Sequence, residues 1–202
     1  MDAAWTTWST RLDWCTGLRF TKPGAHANAK RPNRSEWRHV LDITEHAIDS
    51  ETLESIAGCA IDAAEMLHLD LESLTAAEIV NAVDNCVFSL QKGGGPKIPE
   101  VADPALTLGS LWGQQLVREL GWTWANVTFH KHEDSQAVGV FSPDRALAIY
   151  PFHFIWGCLE NDASVTILLA YSMLKDGSRI PSLPTNAFEN VMDNVHHIVP
   201  RE

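Results

Sequence analysis

Apolar positions recur at helical spacing through much of the first half of the chain. Residues 51–69 carry an apolar side chain at intervals of three and four, and this pattern assigns Leu53 and Ile61 to the packing face. Thr75, followed three residues later by Glu78, fits a capping box at the start of a second run of the same kind. The pattern predicts two amphipathic helices, each with one packed face and one wet face.

Two further stretches have helical character. The run at 35–48 is predicted to be a helix that its first residue, a serine, can cap. A later helix starts after Asp103 and closes at Gly121. Gly109 and Gly113 lie one turn apart inside it, and glycine costs about 1 kcal/mol relative to alanine in a helix interior. We therefore expect a neighbouring element, such as a sheet, to be pressed against this face.

Three short segments with strand chemistry follow that helix: WTWANVTFHKH, AVGVF and ALAIY. Residues 142–145 (SPDR) are typical of a β-turn with proline in its preferred second place, and they join the last two segments in a hairpin. Strand alternation along the first segment predicts one face made of six side chains. These are Trp122, Trp124, Asn126, Thr128, His130 and His132.

The remainder of the chain returns to helical patterns. Pro151 can start a helix, and the apolar run at 163–175 predicts another that ends at Asp176 and Gly177. The segment 188–199 fits a last helix or a strand, and the pattern does not choose between them.

A Gly/Pro-rich segment at 93–105 separates the two halves. It does not fit a phosphate-binding loop, because a helical run precedes it and Pro96 interrupts the required order. We therefore expect an α+β protein with a helical region at 1–92, a linker at 93–105 and an α+β domain at 106–202. The helical half would pack on a small antiparallel sheet of about three strands flanked by helices, and one cooperative unit remains the alternative.

Charge is unevenly distributed along the chain of 202 residues. The net charge is −11, but residues 1–40 hold seven Lys/Arg and three Asp/Glu, which leaves −15 for residues 41–202. An acidic body repels phosphate backbones, so nucleic-acid binding is not expected, and a basic protein is the natural electrostatic partner. Solubility alone is the competing explanation of this charge.

The cysteines and the apolar runs indicate the compartment. The four cysteines are widely spaced, with no C-x-x-C pair and no dense framework typical of disulfide scaffolds or zinc sites. The first residues contain no apolar region of a signal peptide, and the longest apolar stretch is too short to span a bilayer about 30 Å thick. We expect a cytoplasmic protein without a membrane segment, and no motif points to a cofactor.

Candidate binding residues come from the strand face and the turn that follows it. Trp122, Trp124, His130 and His132, with Asp144 and Arg145 of the turn, are the predicted binding set. His130 and His132 are weak metal candidates with His153 or with the histidines at 196–197, but surface histidines are more common than ligands, so no metal is predicted. Cys158 and His153 form a possible nucleophile pair.

The motifs of the C-terminal half resemble a known pattern. GSLWGQQLVRELGWTW, a hairpin and then SPDRALAIYPFHFI are similar to a small bacterial domain family of unknown function, over about residues 106–199. The family pattern is a helix with spaced glycines, a G-W-x-W strand and an "aiyP" segment that begins a helix. Some relatives lie near toxin and immunity genes, which implies a protein-binding role, and the resemblance carries over no catalytic residues.

Two functions follow as expectations. The first is an intracellular protein-binding module of the immunity type. It would neutralise a basic, toxin-like partner with acidic side chains around aromatic anchors. The alternative is a hydrolase, either metal-dependent or of the Cys/His type, that uses the histidines.

Overall fold

Six helices and five strands make up the residues that the computed structural model describes, which are 43–98, 102–161, 163–177, 180 and 182–195. The strands are β1 (Ile43–His46), β2 (Thr123–Phe129), β3 (Ser135–Phe141), β4 (Leu147–Ile149) and β5 (Glu189–Asn190). The helices are α1 (Ser50–Met66), α2 (Ala76–Gln91), α3 (Pro104–Leu120), α4 (Pro151–Asn161), α5 (Ile167–Asp176) and α6 (Val191–Val195). A mixed helix and sheet fold is thereby confirmed.

The sheet is larger than the sequence predicts. Its strand order is β1-β2-β3-β4-β5, antiparallel from β1 to β4, with β5 parallel to β4. The prediction of about three antiparallel strands is therefore wrong, because the described sheet has five strands and is mixed. The two extra strands, β1 and β5, lie at its ends and are only four and two residues long.

The first strand replaces the end of a predicted helix. Within the run at 35–48, the described part contains β1 rather than a helix, and the earlier residues lie outside the described part of the chain. Ile43 lies opposite Phe129 and His46 lies opposite Asn126, so β1 pairs with a strand that follows three helices later. Pairing with a distant strand overrides the helical spacing of this short segment.

Side chains at the helix starts satisfy backbone groups as the sequence predicts. The capping box of α2 is confirmed: Glu78 accepts a hydrogen bond from the backbone nitrogen of Thr75 at 2.8 Å, and Thr75 Oγ1 accepts one from that of Glu78 at 3.3 Å. Asp103 caps α3 by accepting from the nitrogen of Ala105 at 2.8 Å. The helix ends at Gly121, whose φ of 65° is the left-handed conformation that glycine adopts readily.

The C-terminal half contains both kinds of element. Pro151 starts α4 as predicted, and the helix expected at 163–175 begins later, at Ile167, and closes at Gly177. The described part of the undecided segment 188–199 contains both alternatives in succession, β5 and then α6, and residues 196–199 lie outside the described part. No helix among the described residues is long and apolar enough to cross a membrane.

The glycines of helix α3 let it pack closely against the sheet and against α4. A Cβ atom at Gly113 would lie 2.2 Å from Cζ2 of Trp124 on β2, and one at Gly109 would lie 2.6 Å from Cδ1 of Phe152 on α4. The expectation of a neighbour pressed against this face is therefore confirmed. The close approach explains why glycine occupies both positions despite its cost within a helix.

A shared core joins the helices on both sides of the Gly/Pro segment. One apolar cluster includes Ala63 of α1, Val83 of α2, Leu111 of α3 and Ile155 of α4. The opposite face of the sheet has its own cluster, which contains aromatic rings in edge or tilted contact. Those rings are Phe129, Phe141, Tyr150 and Phe188.

Candidate functional site

The two tryptophans of the predicted binding face point into the protein. Trp122 is buried in the main core, and Trp124 is partly buried where α3 crosses the sheet. The ring of Trp124 stacks on Phe152, with centroids 5.5 Å apart and planes 14° apart. Burial removes Trp122 as a surface anchor, and the contact with α3 explains the half-burial of Trp124.

The histidines of that face do not belong to the strand. Strand β2 ends at Phe129, and His130–His132 forms a 3-10 turn that leads to Glu133 and Asp134, both with positive φ. The predicted alternation through His132 is therefore wrong beyond Phe129. His132 packs its ring edge against Phe129, while His130 forms hydrogen bonds elsewhere.

His130 lies between a hydroxyl group and a carboxylate. Its Nδ1 atom is 2.5 Å from Oδ1 of Asp134, and its Nε2 atom is 2.7 Å from Oγ1 of Thr44 on β1. An ionised carboxylate only accepts hydrogen bonds, so Nδ1 carries a proton, and in the neutral ring Nε2 accepts the hydroxyl proton of Thr44. All three residues are exposed.

A second hydroxyl and histidine pair lies beside this one. The strand register places Thr44 opposite Thr128, and His46 opposite Asn126. Thr128 Oγ1 is 3.3 Å from Nε2 of His46, a longer contact than that between Thr44 and His130. The sheet face that carries Thr44 and Thr128 therefore has two parts. Helix α3 covers it near Trp124, and polar side chains line it towards β1.

Asp144 and Arg145, the two turn residues of the predicted binding set, stabilise the hairpin through hydrogen bonds. The backbone nitrogen of Arg145 donates to the carbonyl of Ser142 at 2.9 Å, which confirms the β-turn. Asp144 accepts hydrogen bonds from the Ser142 hydroxyl at 2.7 Å and from the nitrogen of Ala146 at 3.1 Å, and these bonds lower its pKa. The Arg145 guanidinium donates two bonds to Glu45, which raise the pKa of Arg145.

The proposed Cys/His nucleophile pair is not assembled. His153 and Cys158 lie five residues apart on α4, which separates them by about 140° around a helix of 3.6 residues per turn. Cys158 is fully buried, and burial raises its thiol pKa to about 12, so the reactive thiolate is disfavoured. His153 is exposed.

Metal-ligand geometry is also missing from the described part of the chain. Those residues contain no group of three or more His, Cys, Asp or Glu side chains placed to hold a metal ion. The histidines at 196–197, named as further ligand candidates, lie outside the described residues.

The outer face of α1 carries apolar side chains that the sequence pattern assigned to the core. Leu53 is 39% exposed and Ile61 is 53% exposed, whereas Ile56 is 3% exposed. The assignment of Leu53 and Ile61 to the packing face is wrong. A helical wheel could have detected Ile61, which lies five residues and therefore about 140° from Ile56.

Every charged side chain on the helix that carries these exposed apolar groups is acidic. Helix α1 contains Glu51, Glu54, Asp62 and Glu65 and no Lys or Arg. Over residues 43–91 the sequence has ten Asp or Glu and no Lys or Arg. Exposed Phe88 on α2 differs, because Lys92 lies over its ring at 5.8 Å. The outer face of α1 therefore combines apolar area with negative charge.

The five-stranded mixed sheet and the acidic helix α1 define the protein as one of the mixed α/β class with an acidic helical face. Comparison with protein-family models, with curated proteins and with solved structures found no match.

Proposed function

We propose that the protein is an immunity-type binding module that neutralises a basic, toxin-like protein through the outer face of α1. The observation that carries this proposal is the pair of exposed apolar side chains, Leu53 and Ile61, on a helix whose charged residues are all acidic. The resemblance of the sequence motifs to a family with members near toxin and immunity genes predicts the same class, and it stays a prediction.

The apolar part of this face supplies contact energy. Complete burial of a leucine or isoleucine side chain contributes about 1.5–3 kcal/mol. Since Leu53 and Ile61 already have part of their area buried, a partner that covers the rest gains about 1 kcal/mol from each. Their spacing of eight residues places them about 80° apart around α1 and about 12 Å apart along it, so one apolar surface can cover both.

The negative charge on this face attracts basic partners and disfavours acidic ones. The four acidic residues of α1, on a helix without Lys or Arg, create a negative potential near the apolar pair. A basic partner is attracted from a distance, and the association rate falls as salt screens the charges. An acidic or phosphate-rich partner is repelled from the same face. The proposal therefore predicts salt-sensitive binding to basic surfaces.

A titration with a defined ligand tests the interface. The probe is a synthetic amphipathic helix with leucines on one face and lysines on the other, followed by calorimetry at low and high salt. We expect one-to-one binding that weakens with salt. The variant Glu54→Lys/Glu65→Lys should weaken binding at least about tenfold, because two attractive charges become repulsive.

A charge-matched control separates this face from the general acidity of the protein. Glu133→Lys/Glu160→Lys makes the same change in net charge, at the residue that follows the 3-10 turn and on α4. It should alter the affinity by no more than about twofold, given screening over a Debye length of about 8 Å. Equal losses in both variants, or equal binding of a scrambled peptide of the same composition, would contradict an interface on α1.

The neutralising role has its own test. An immunity function predicts that the gene for a basic toxin lies next to the gene for this chain. Co-expression should protect cells from that toxin, and the Glu54→Lys/Glu65→Lys variant should lose the protection while remaining folded by circular dichroism. Full protection by this variant would contradict neutralisation through α1.

A further inference from the structure

Thr44, His130 and Asp134 are connected in the order hydroxyl, imidazole, carboxylate. Thr44 Oγ1 is 2.7 Å from His130 Nε2, and His130 Nδ1 is 2.5 Å from Asp134 Oδ1. The contact of Thr44 with His130 has the length of a hydrogen bond, and the contact of His130 with Asp134 is shorter than the usual N–H···O range of about 2.7–3.2 Å. We propose that Thr44 is a nucleophile for carboxylic esters, with His130 as its general base and Asp134 as the group that orients the base.

The carboxylate fixes which ring nitrogen can accept a proton. Asp134 accepts from Nδ1, so the lone pair of the neutral imidazole is on Nε2 and faces the Thr44 hydroxyl. This is the arrangement that nucleophilic catalysis requires: a nucleophile in contact with a base that a third group orients. The register between β1 and β2 and the 3-10 turn bring the three residues together.

The three side chains can be reached from solvent. The His130 side chain is 38% exposed and that of Asp134 is 72% exposed, and Thr44 is also exposed on β1. An ester can therefore approach the Thr44 hydroxyl, and water can reach the site afterwards. The same exposure predicts a low rate with small activated esters, because exclusion of water strengthens electrostatic catalysis and this site is wet.

The reaction proceeds in two balanced steps. Thr44 Oγ attacks the ester carbonyl carbon while its proton passes to His130 Nε2, and the bond to the leaving alcohol breaks as that alcohol takes the proton from Nε2. Water then attacks the acyl-threonine carbonyl and gives a proton to Nε2. The Thr44 oxygen leaves with that proton, and the carboxylic acid is released.

The chain contains a matched control. Thr128 and His46 form the adjacent hydroxyl and histidine pair at 3.3 Å, and no carboxylate among the described residues is hydrogen-bonded to the His46 ring. Thr128 is also buried. If ester cleavage depends on the Asp134 carboxylate and on the short contact between Thr44 and His130, the variants Thr128→Val and His46→Gln should leave its rate within about twofold of wild type.

Hydrolysis of p-nitrophenyl acetate by the full chain tests the proposal, together with peptide mapping of the acetylated protein. We expect an acetyl group on Thr44. Thr44→Val should abolish that adduct, and His130→Gln and Asp134→Asn should slow its formation by about 100-fold or more. Thr44→Ser should retain the reaction, and at a higher rate, because the methyl group that crowds the oxygen is removed.

Several outcomes would overturn the proposal. The proposal is wrong if acetylation occurs only at residues other than Thr44, or if Thr44→Val leaves the rate unchanged. It is also wrong if Thr128→Val loses as much activity as Thr44→Val. Circular dichroism confirms that each variant is folded, and valine keeps the branched shape that suits a strand. Binding of the cationic peptide to α1 should be unchanged in these variants, so failure of one proposal is distinguishable from failure of the other.

Discussion

Arg145 donates two hydrogen bonds of 2.8 Å to the carboxylate of Glu45, one hundred residues earlier in the chain. One residue lies in the turn after β3 and the other in β1, so the pair joins the hairpin to the opposite end of the sheet. Arg145 also donates to the carbonyl of Ser142 at 3.0 Å. The pair is partly shielded from water, and its geometry is bidentate.

Replacing Arg145 by lysine should therefore destabilise the protein by about 1 kcal/mol. Lysine keeps the charge but cannot form the two parallel bonds to Glu45. Urea denaturation measures the change in the free energy of unfolding. The same substitution in a Glu45→Gln background should cost less, because the ion pair is already broken, and strictly additive effects would contradict direct coupling.

Adding a methyl group at Gly113 should destabilise the protein by about 1–3 kcal/mol, because it overpacks the contact with Trp124. Gly157→Ala is the matched control in α4, where a Cβ atom has no neighbour within 4 Å. It should stabilise the protein by up to about 1 kcal/mol through helix propensity. Thermal denaturation of both variants checks the contrast, and a neutral Gly113→Ala would contradict the close packing.

Alkaline pH should weaken the fold through two buried thiols. Burial raises the pKa of Cys86 from 9.0 to about 11 and that of Cys158 to about 12. The unfolded chain loses these protons first, so the free energy of unfolding should decrease as pH rises from about 9 towards 11. Urea midpoints at several pH values measure this slope. A Cys86→Ala/Cys158→Ala variant should show a shallower slope, and an unchanged slope would contradict the assignment.

Ile61→Ser should change folding stability by less than about 0.5 kcal/mol, because Ile61 is mostly on the surface. Ile56→Ala, on the buried side of the same helix, should cost about 2–5 kcal/mol. Urea denaturation of the two variants compares the faces of α1. A large loss in Ile61→Ser would mean that its side chain is needed for folding, and would argue against its availability to a partner.

Local chemistry made much of the fold predictable. Three predicted features each depend on residues within a few positions of one another. They are the capping box at Thr75 and Glu78, the helix cap at Asp103 and the β-turn at 142–145. Gly113 revealed a close approach because a costly residue in a helix interior needs a reason.

The remaining features depend on pairing between distant segments. Strand β1 is stabilised by β2, and the contact of Thr44 with His130 exists only in that register, so no spacing in the sequence predicted it. Alternation does not predict the end of β2, because His130–His132 turn in a 3-10 conformation and Glu133 and Asp134 then adopt positive φ, which leads the chain away from strand geometry. Ile61 was misassigned because intervals of three and four drift around a helix over several turns.

The turn at 142–145 also receives the returning C-terminal segment. The backbone nitrogens of Asn186, Phe188 and Glu189 donate to the carbonyls of Asp144, Arg145 and Ala146. A hairpin closes rapidly because its contacts are local, whereas contacts across long loops form slowly. We therefore expect this local hairpin to close before segments from both directions of the chain attach to it.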